Sequence, residues 1–351
     1  MSSRSLITRL TRFVVAASIP AVTCLAHAET LSVVTFGGAF EKAAQEAFFK
    51  PFTEKTKTDF TYESYDGGLA KLAAMVQANN TTWDIVDLEN DDMIAACDEG
   101  LLQRFDKGLL GDTSDFLPGA ISKCGVASMV WSTIYAFDTG KFSTPPTTIA
   151  DFFDTKKFPG KRGLRKSPKA VLEWALLADG VPAADLYEVL GTPAGRDRAF
   201  KKLDTIKKDI VWWETGAQPP QLLADGAVVM TQAYNGRIAD AVKNDKKPFK
   251  IVWDGQIYDF EWWAVPTGAK HADTAKKFIV FASQPDKYNT FTQFIPYAPP
   301  RKNAIPLIDK QRLNDLPTAP ENYKNAVQID ASFWADNGDQ IGKRFQTWLV
   351  Q

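Results

Sequence analysis

The stretch "GVASMVWSTIYAFD", residues 125–138, decides the fold. It is rich in β-branched and aromatic residues, and no helical pattern follows it. Strands in globular domains are usually shorter than this. The pattern is typical of a β connection that leaves one domain and enters a second.

Residues 30–89, which precede this stretch, alternate between strand and helix patterns. The strands are "TLSVVTF" (30–36), "TDFTYESY" (58–65) and "WDIVDLE" (83–89), and apolar residues at helical spacing follow each of them. Such alternation predicts a mostly parallel sheet that helices cover on both faces.

The same alternation resumes after the loop "STPPTT" (143–148). Two further strands are predicted at "FKIVWDG" (249–255) and "IYDFEWWAVPTGA" (257–269), the second of them another long connection, and residues 271–351 are largely helical. We therefore predict an α/β protein with two lobes joined by β crossovers. A cleft between hinged lobes is typical of a binding site that closes on its ligand.

Composition excludes several classes of function. The chain has 351 residues, of which 45% are hydrophobic and 24% charged, a length that favours two domains. The 41 basic and 42 acidic residues nearly cancel, and no basic block is present. A nucleic-acid partner is therefore not expected.

The N-terminal segment has the pattern of a secretory signal. A basic start precedes the apolar stretch 13–25, which is too short to span a bilayer, and "AHA" at 26–28 has the form that signal peptidase cleaves. We predict that residues 1–28 are removed and that the mature protein is secreted; the family resemblance described below implies that it is periplasmic. Lipid anchoring through Cys24 stays open as an alternative.

Two cysteines remain after cleavage, Cys97 and Cys124. In an oxidising compartment an isolated pair favours a disulfide. The rival interpretation is a reactive thiol, which needs a base nearby, and His271 is the one histidine left. The sequence contains no CxxC, HExxH or GxSxG motif, so we predict no catalytic residue, no metal site and no cofactor.

Candidate binding residues lie at the ends of the predicted strands, where ligands of α/β proteins usually bind. Gly37-Gly38 could instead be only a tight turn, because the phosphate-binding glycine motifs are absent. Glu89 could instead cap the following helix, and Arg165-Lys166 is interpreted as an exposed loop, with a clamp for a ligand carboxylate as the alternative. The candidates are Phe36, Gly37, Gly38, Glu89, Tyr234, Arg237 and Glu261.

Six motifs in order resemble the polyamine (spermidine/putrescine) branch of periplasmic substrate-binding proteins that serve ABC importers. They are "TFGGAFEKA", "WDIVDLEN", "CGVASMVWSTIYAFD", "YNGR", "DFEWWAVPTGA" and "FIPYAPPRKNA". The resemblance implies a type II fold, a monomer, an inner-membrane ABC permease as partner, and no chemistry on the ligand. Proteins of this group also often carry a cysteine pair at corresponding positions. The implied lobes are residues 29–138 with 266–299, and 139–265 with 300–351.

The resemblance also carries over individual residues. Polyamine binders hold ammonium groups with carboxylates and pack the alkyl chain between aromatic rings. Glu261 matches one of these carboxylates, and aromatic rings persist at Phe36, Tyr234 and Tyr297.

Three positions depart from the family pattern: Gly38 and Ala170 stand where relatives have acids, and Arg237 stands where they have an aspartate or a small polar residue. Arg237 beside Glu261 suits a zwitterion better than a dication, because a guanidinium binds a carboxylate through two parallel hydrogen bonds. A short ω-amino acid such as 4-aminobutyrate fits this pattern.

Other interpretations stay open. Arg237 and Glu261 could form a structural ion pair, or Arg237 could point away from the cleft of a true polyamine binder. A cysteine-dependent periplasmic enzyme on the same fold would need Cys97 or Cys124 free. A ferric-ion binder would use paired tyrosines such as Tyr234 and Tyr297.

Overall fold

The computed structural model describes residues 29–351. The predicted signal segment 1–28 and the lipid-anchor alternative at Cys24 lie outside the described residues.

Within residues 29–351, nine strands alternate with helices along most of the sequence. Their bounds are β1 (Thr30–Thr35), β2 (Asp59–Ser64), β3 (Ile85–Glu89), β4 (Gly125–Asp138), β5 (Arg162–Arg165), β6 (Ile210–Trp213), β7 (Met230–Tyr234), β8 (Phe249–Ala264) and β9 (Val327–Gln328).

The α-helices fall into the gaps that the sequence pattern indicates, and most of the last eighty residues are helical. Their bounds are α1 (Gly38–Ala44), α2 (Lys50–Thr56), α3 (Ala70–Gln77), α4 (Asn90–Asp98), α5 (Ile149–Phe153), α6 (Val171–Ala178), α7 (Leu186–Leu190), α8 (Pro193–Asp204), α9 (Gln218–Ala224), α10 (Asn235–Lys243), α11 (Ala272–Ala282), α12 (Lys287–Phe294), α13 (Lys310–Leu313) and α14 (Ala331–Leu349).

One wide helical turn, Gln45–Phe49, joins α1 to α2. Pro51 stands in the first turn of α2 and has no N–H with which to continue the hydrogen-bond ladder. A local π-helical turn accommodates this missing donor and keeps the two helices on one path.

The strands form one sheet in the order β2-β1-β3-β8-β4-β7-β5-β6, with β9 beside β8. At one end β1 is parallel to β2 and β3, and at the other end β5 is parallel to β6 and β7. The strand–helix alternation in the sequence therefore predicted both parallel groups correctly.

The long strands β4 and β8 connect these two groups. They pair in antiparallel fashion from Gly125–Ala264 to Asp138–Phe249, with two register shifts on the way. Strand β3 pairs with the C-terminal end of β8. Strand β7 pairs with the C-terminal end of β4, at the other end of the β4–β8 pair. We call the β1–β3 end the first lobe and the β5–β7 end the second lobe. The predicted lobe boundaries at residues 138, 266 and 299 stay a prediction.

The prediction of two separate strands at 249–255 and 257–269 is wrong, because the structure has the single strand β8. Gly255 made the sequence look interrupted. Its φ is +71°, and a Cβ on it would lie 2.9 Å from Cβ of Ile149. Glycine here allows a close approach of α5 within a continuous strand.

Cys97 in α4 and Cys124 immediately before β4 form a disulfide, with their Cα atoms 5.8 Å apart. The predicted pairing is confirmed. Both thiols are consumed by the bond, so the free cysteine required by the cysteine-dependent enzyme alternative is not present.

Candidate ligand-binding site

A cavity of about 80 Å³ lies between the two lobes where several strands end. We call it the interlobe cavity. Its lining residues are Phe36, Phe40, Asp66, Glu89, Met129, Trp131, Arg165, Glu214, Thr215, Gly216, Tyr234, Arg237, Glu261 and Tyr297.

Strand register brings the polar floor of this cavity together. Glu89, the last residue of β3, lies opposite Glu261 on β8, and Glu261 lies opposite Met129 on β4. Tyr234 ends β7 beside β4. The carboxyl ends of β3 and β7 thus meet at the cavity from the two lobes, as the rule for α/β sheets predicts.

Aromatic rings form most of the apolar wall. The rings of Trp131 and Tyr234 meet edge to face with centroids 5.1 Å apart. Gly236 allows Tyr297 to approach, because a Cβ at that position would lie 2.6 Å from Cζ of Tyr297. This contact explains the glycine in the "YNGR" motif.

Arg237 reaches from α10 of the second lobe to the loop that begins α1 in the first lobe. Its Nη2 donates long hydrogen bonds to the carbonyls of Phe36 (3.5 Å) and Gly37 (3.4 Å). A Cβ on Gly38 would lie 2.1 Å from Nη1 of Arg237. The glycine therefore leaves the space that the guanidinium fills, and Arg237 faces the cavity.

Arg237 has no carboxylate within ion-pair distance among residues 29–351. The alternative in which Arg237 and Glu261 form a structural ion pair is therefore not what the structure shows. Two weak carbonyl contacts leave most of the donor capacity of the guanidinium unused, since it carries five N–H groups.

Glu261 is buried, and among the described residues its Oε1 has no hydrogen-bond partner. Burial, followed by the charges of Asp87 and Glu89, raises the pKa of Glu261 well above its usual range. A cation placed against Glu261 would therefore be stabilised, because it supplies the partner that this buried carboxyl lacks.

Asp87 is a second buried carboxyl that the sequence reasoning missed. It is fully buried two residues before Glu89, and neither of its carboxylate oxygens has a partner in the described part of the chain. Burial and, to a smaller extent, Glu89 raise its pKa well above the usual range. The period of two in "WDIVDLE" places Asp87 and Glu89 on one strand face and could have indicated it.

Glu89 already has partners within the chain. Its carboxylate contacts Nζ of Lys169 at 3.1 Å and Nη1 of Arg165 at 3.6 Å, both from the second lobe. Burial alone would raise its pKa, but the charges of Lys169 and Arg165 outweigh burial and lower the pKa of Glu89 to about 2. Glu89 is therefore a charged member of an interlobe ion-pair network.

The interpretation of Arg165 as part of an exposed loop is wrong. Its side chain is 25% exposed, pairs with Glu89 and lies 5.9 Å from the ring centroid of Tyr234. Lys166, the next residue, is exposed as expected and pairs with Glu214. Successive side chains along a strand point to opposite faces, so at the end of β5 the side chain of Arg165 is turned inward and that of Lys166 is turned to solvent.

The structure brings six of the eight predicted binding residues to the cavity wall: Phe36, Glu89, Tyr234, Arg237, Glu261 and Tyr297. The other two, Gly37 and Gly38, do not line the cavity but contact the guanidinium of Arg237. Sequence reasoning missed Met129 and Trp131, because it treated β4 only as a connection, and it missed the loop 214–216.

A wider groove of about 1090 Å³ lies on the other face of β8, against Phe260 and Trp262. It is open, and no opposed buried charges converge in it. The smaller cavity combines the guanidinium of Arg237, the unpartnered carboxyl of Glu261 and aromatic rings, which are the features of a specific small-molecule site. We therefore take the interlobe cavity as the candidate site.

No group of three or more potential metal ligands occurs within residues 29–351. In the same range, none of the helices is both long enough and apolar enough to cross a bilayer.

The chain is similar to known solute-binding proteins. Residues 47–321 match the family described as bacterial extracellular solute-binding protein. The chain is 48% identical over 326 residues to the gamma-aminobutyric acid-binding protein of Pseudomonas aeruginosa, covering 93% of this chain and 92% of that one. It is 23% identical over 298 residues to the spermidine/putrescine-binding periplasmic protein of Salmonella typhimurium, covering 82% of each.

Among solved structures, the Atu4243-GABA receptor is similar to this chain with a TM-score of 0.81 and 34% identity. The similarity covers 92% of this chain and 98% of that one.

Proposed function

The chain belongs to the bacterial extracellular solute-binding proteins, which work as substrate-binding components of ABC importers, and from this premise we propose that its ligand is 4-aminobutyrate or a similarly short zwitterionic ω-amino acid. The observation that carries the proposal is the placement of Arg237 and Glu261 in one small cavity without a bond between them.

The two ends of a zwitterion match these two side chains. The guanidinium of Arg237 binds the ligand carboxylate through parallel N–H donors. Glu261, once ionised, accepts from the ligand ammonium. The methylene groups between them pack against the rings of Trp131, Tyr234 and Tyr297.

Charge and size both argue against a long dication. Arg165 and Arg237 line the cavity, and a second ammonium beside either guanidinium would be repelled by about 1–4 kcal/mol at ~4 Å, depending on the local dielectric. The cavity volume of about 80 Å³ also favours a compact solute. The 48% identity to a gamma-aminobutyric acid-binding protein supports the same choice.

Binding then closes the lobes around the ligand. Arg237 comes from the second lobe and its guanidinium also contacts carbonyls of the first lobe, so a carboxylate on Arg237 is held between both. The closed complex is delivered to the permease without a change in the ligand. We further propose that the protein is a periplasmic monomer released from the segment 1–28.

Titration calorimetry tests the ligand on the mature chain after unfolding and refolding, which removes any ligand retained in purification. We expect 4-aminobutyrate to bind and putrescine to bind at least about tenfold more weakly. Arg237→Ala and Glu261→Gln should each weaken 4-aminobutyrate binding by about 10-fold or more, the effect of losing a charged hydrogen bond.

Arg198→Ala is the control, because Arg198 forms an exposed pair with Asp179 and is not part of the cavity lining. Tight putrescine binding that survives Arg237→Ala would contradict the proposal and identify a polyamine receptor.

A further inference from the structure

Lys169 places a mostly buried ammonium group among the carboxylates beside the interlobe cavity. Its side chain is 12% exposed, and Nζ lies 3.1 Å from Oε2 of Glu89 and 2.7 Å from Oδ1 of Asp91. Burial alone would lower its pKa, but Glu89 and Asp91 raise the pKa of Lys169 above its usual range, so the group is charged.

The backbone beside Lys169 is unusual. Ala170 has φ of +67°, in the left-handed region that residues with a Cβ rarely adopt, and its side chain is buried at the start of α6. Such a conformation persists only where the surrounding structure holds it, and it is frequent at ligand-binding segments. The segment that presents Lys169 is therefore fixed by packing.

We propose that Lys169 is a specificity-determining residue that excludes diamines. Its ammonium forms an ion pair with Glu89, the carboxylate that the second ammonium of a diamine would need. This inference rests on the proposed function. Four carboxyls line the cavity, and two of them, Asp66 and Glu214, belong to exposed residues. The other two, Glu89 and Glu261, lie opposite each other on adjacent strands. Lys169 pairs with Glu89, which leaves the buried Glu261 for a single ligand ammonium.

Arg165 also contacts Glu89, but it does not replace Lys169 as the partner of that carboxylate. The Arg165–Glu89 contact is 3.6 Å, longer than the Lys169–Glu89 hydrogen bond of 3.1 Å. Without Lys169, Glu89 would keep one loose partner and accept a further donor. A diamine could then extend from Glu261 to Glu89.

The test compares Lys169→Met with the wild-type chain by calorimetry against 4-aminobutyrate, putrescine and cadaverine. We expect the variant to bind one of the diamines at least about tenfold more tightly than the wild type does. Lys169→Arg should restore exclusion because it keeps the charge. Lys161→Met controls for the lost charge, since Lys161 is exposed in the same lobe and does not line the cavity.

Unchanged diamine affinity in a folded Lys169→Met variant would overturn the inference, provided the wild type binds 4-aminobutyrate. If the wild type binds no ω-amino acid, the proposed function itself fails, and that result is visible before any variant is made.

A second comparison decides the matter if Lys169→Met does not fold. Glu89→Gln leaves Lys169 paired with Asp91. If Lys169 pairs with Glu89, this variant should weaken 4-aminobutyrate binding by only about threefold, whereas Glu261→Gln should weaken it by about 10-fold or more. Equal losses would show that the ligand ammonium contacts Glu89, and the inference would be wrong.

Discussion

Replacing Gly38 by alanine tests whether Arg237 needs its observed position in order to bind ligand. The new Cβ would lie 2.1 Å from Nη1 of Arg237 and 3.1 Å from its Cζ. Ordinary contact requires about 3.5 Å, so the guanidinium must move by about 1.4 Å. Because this is the end of a flexible side chain, it moves rather than blocking the fold.

The expected magnitude follows from the bond that this shift breaks. A hydrogen bond lengthened by more than an ångström no longer contributes, and one to a charged group is worth about 1.5–3 kcal/mol. We therefore expect Gly38→Ala to weaken 4-aminobutyrate binding by about 10- to 150-fold. Gly38 also has φ of +62°, so a side chain costs about 1–2 kcal/mol of folding free energy.

Gly226→Ala provides the matched control. Gly226 has φ of +67°, and a Cβ there meets nothing within 4 Å. It should lose the same folding free energy with no change in affinity. Calorimetry measures the affinity, and urea unfolding measures the stability. Equal affinities for Gly38→Ala and Gly226→Ala would refute the reasoning, because Arg237 would then bind ligand equally well from a displaced position.

Three further predictions concern protons and the disulfide. A ligand ammonium should lower the raised pKa of Glu261, so binding should release protons and affinity should rise with pH. Calorimetry in buffers of different ionisation enthalpy measures the protons released, and proton uptake on binding would contradict the prediction. Because folding raises the pKa of Asp87, the contribution of this carboxyl to stability is complete below pH ~4 and is lost as pH rises. In urea unfolding, Asp87→Asn should therefore be more stable than the wild type at pH 8 and similar to it at pH 4. Replacing Cys97 and Cys124 by serine should cost about 3.5 kcal/mol of stability, measured in the same way, and unchanged stability would refute the chain-entropy reasoning.

Periodicity in the sequence predicted most of the fold because each strand and helix has a distinct apolar spacing. The fourteen-residue strand β4 has the bounds that its pattern indicates. The pattern misled at Gly255, where glycine allows a close contact of two elements and does not end the strand. A single glycine has the same appearance in both situations, so one sequence could not distinguish them.

The candidate site was only partly accessible to the same reasoning. The strand-end rule selected Glu89 and Tyr234, because they end β3 and β7 and their positions follow from local patterns. Trp131 lies in the middle of a strand buried on both faces, and alternation does not tell which face meets a ligand. The Lys169–Glu89 bond joins residues 80 positions apart, and only the folded chain brings them together.

The path of the chain through the sheet has a consequence for the order of folding. The inner neighbour of β3 is β8, and the Asn90–Asp259 hydrogen bond beside it joins residues 169 positions apart. During synthesis β1 to β3 therefore emerge long before the strand that completes their sheet, and closing so long a loop is slow. The first lobe should stay incomplete until the strands of the second lobe have been made, which keeps the nascent chain open until late in its synthesis.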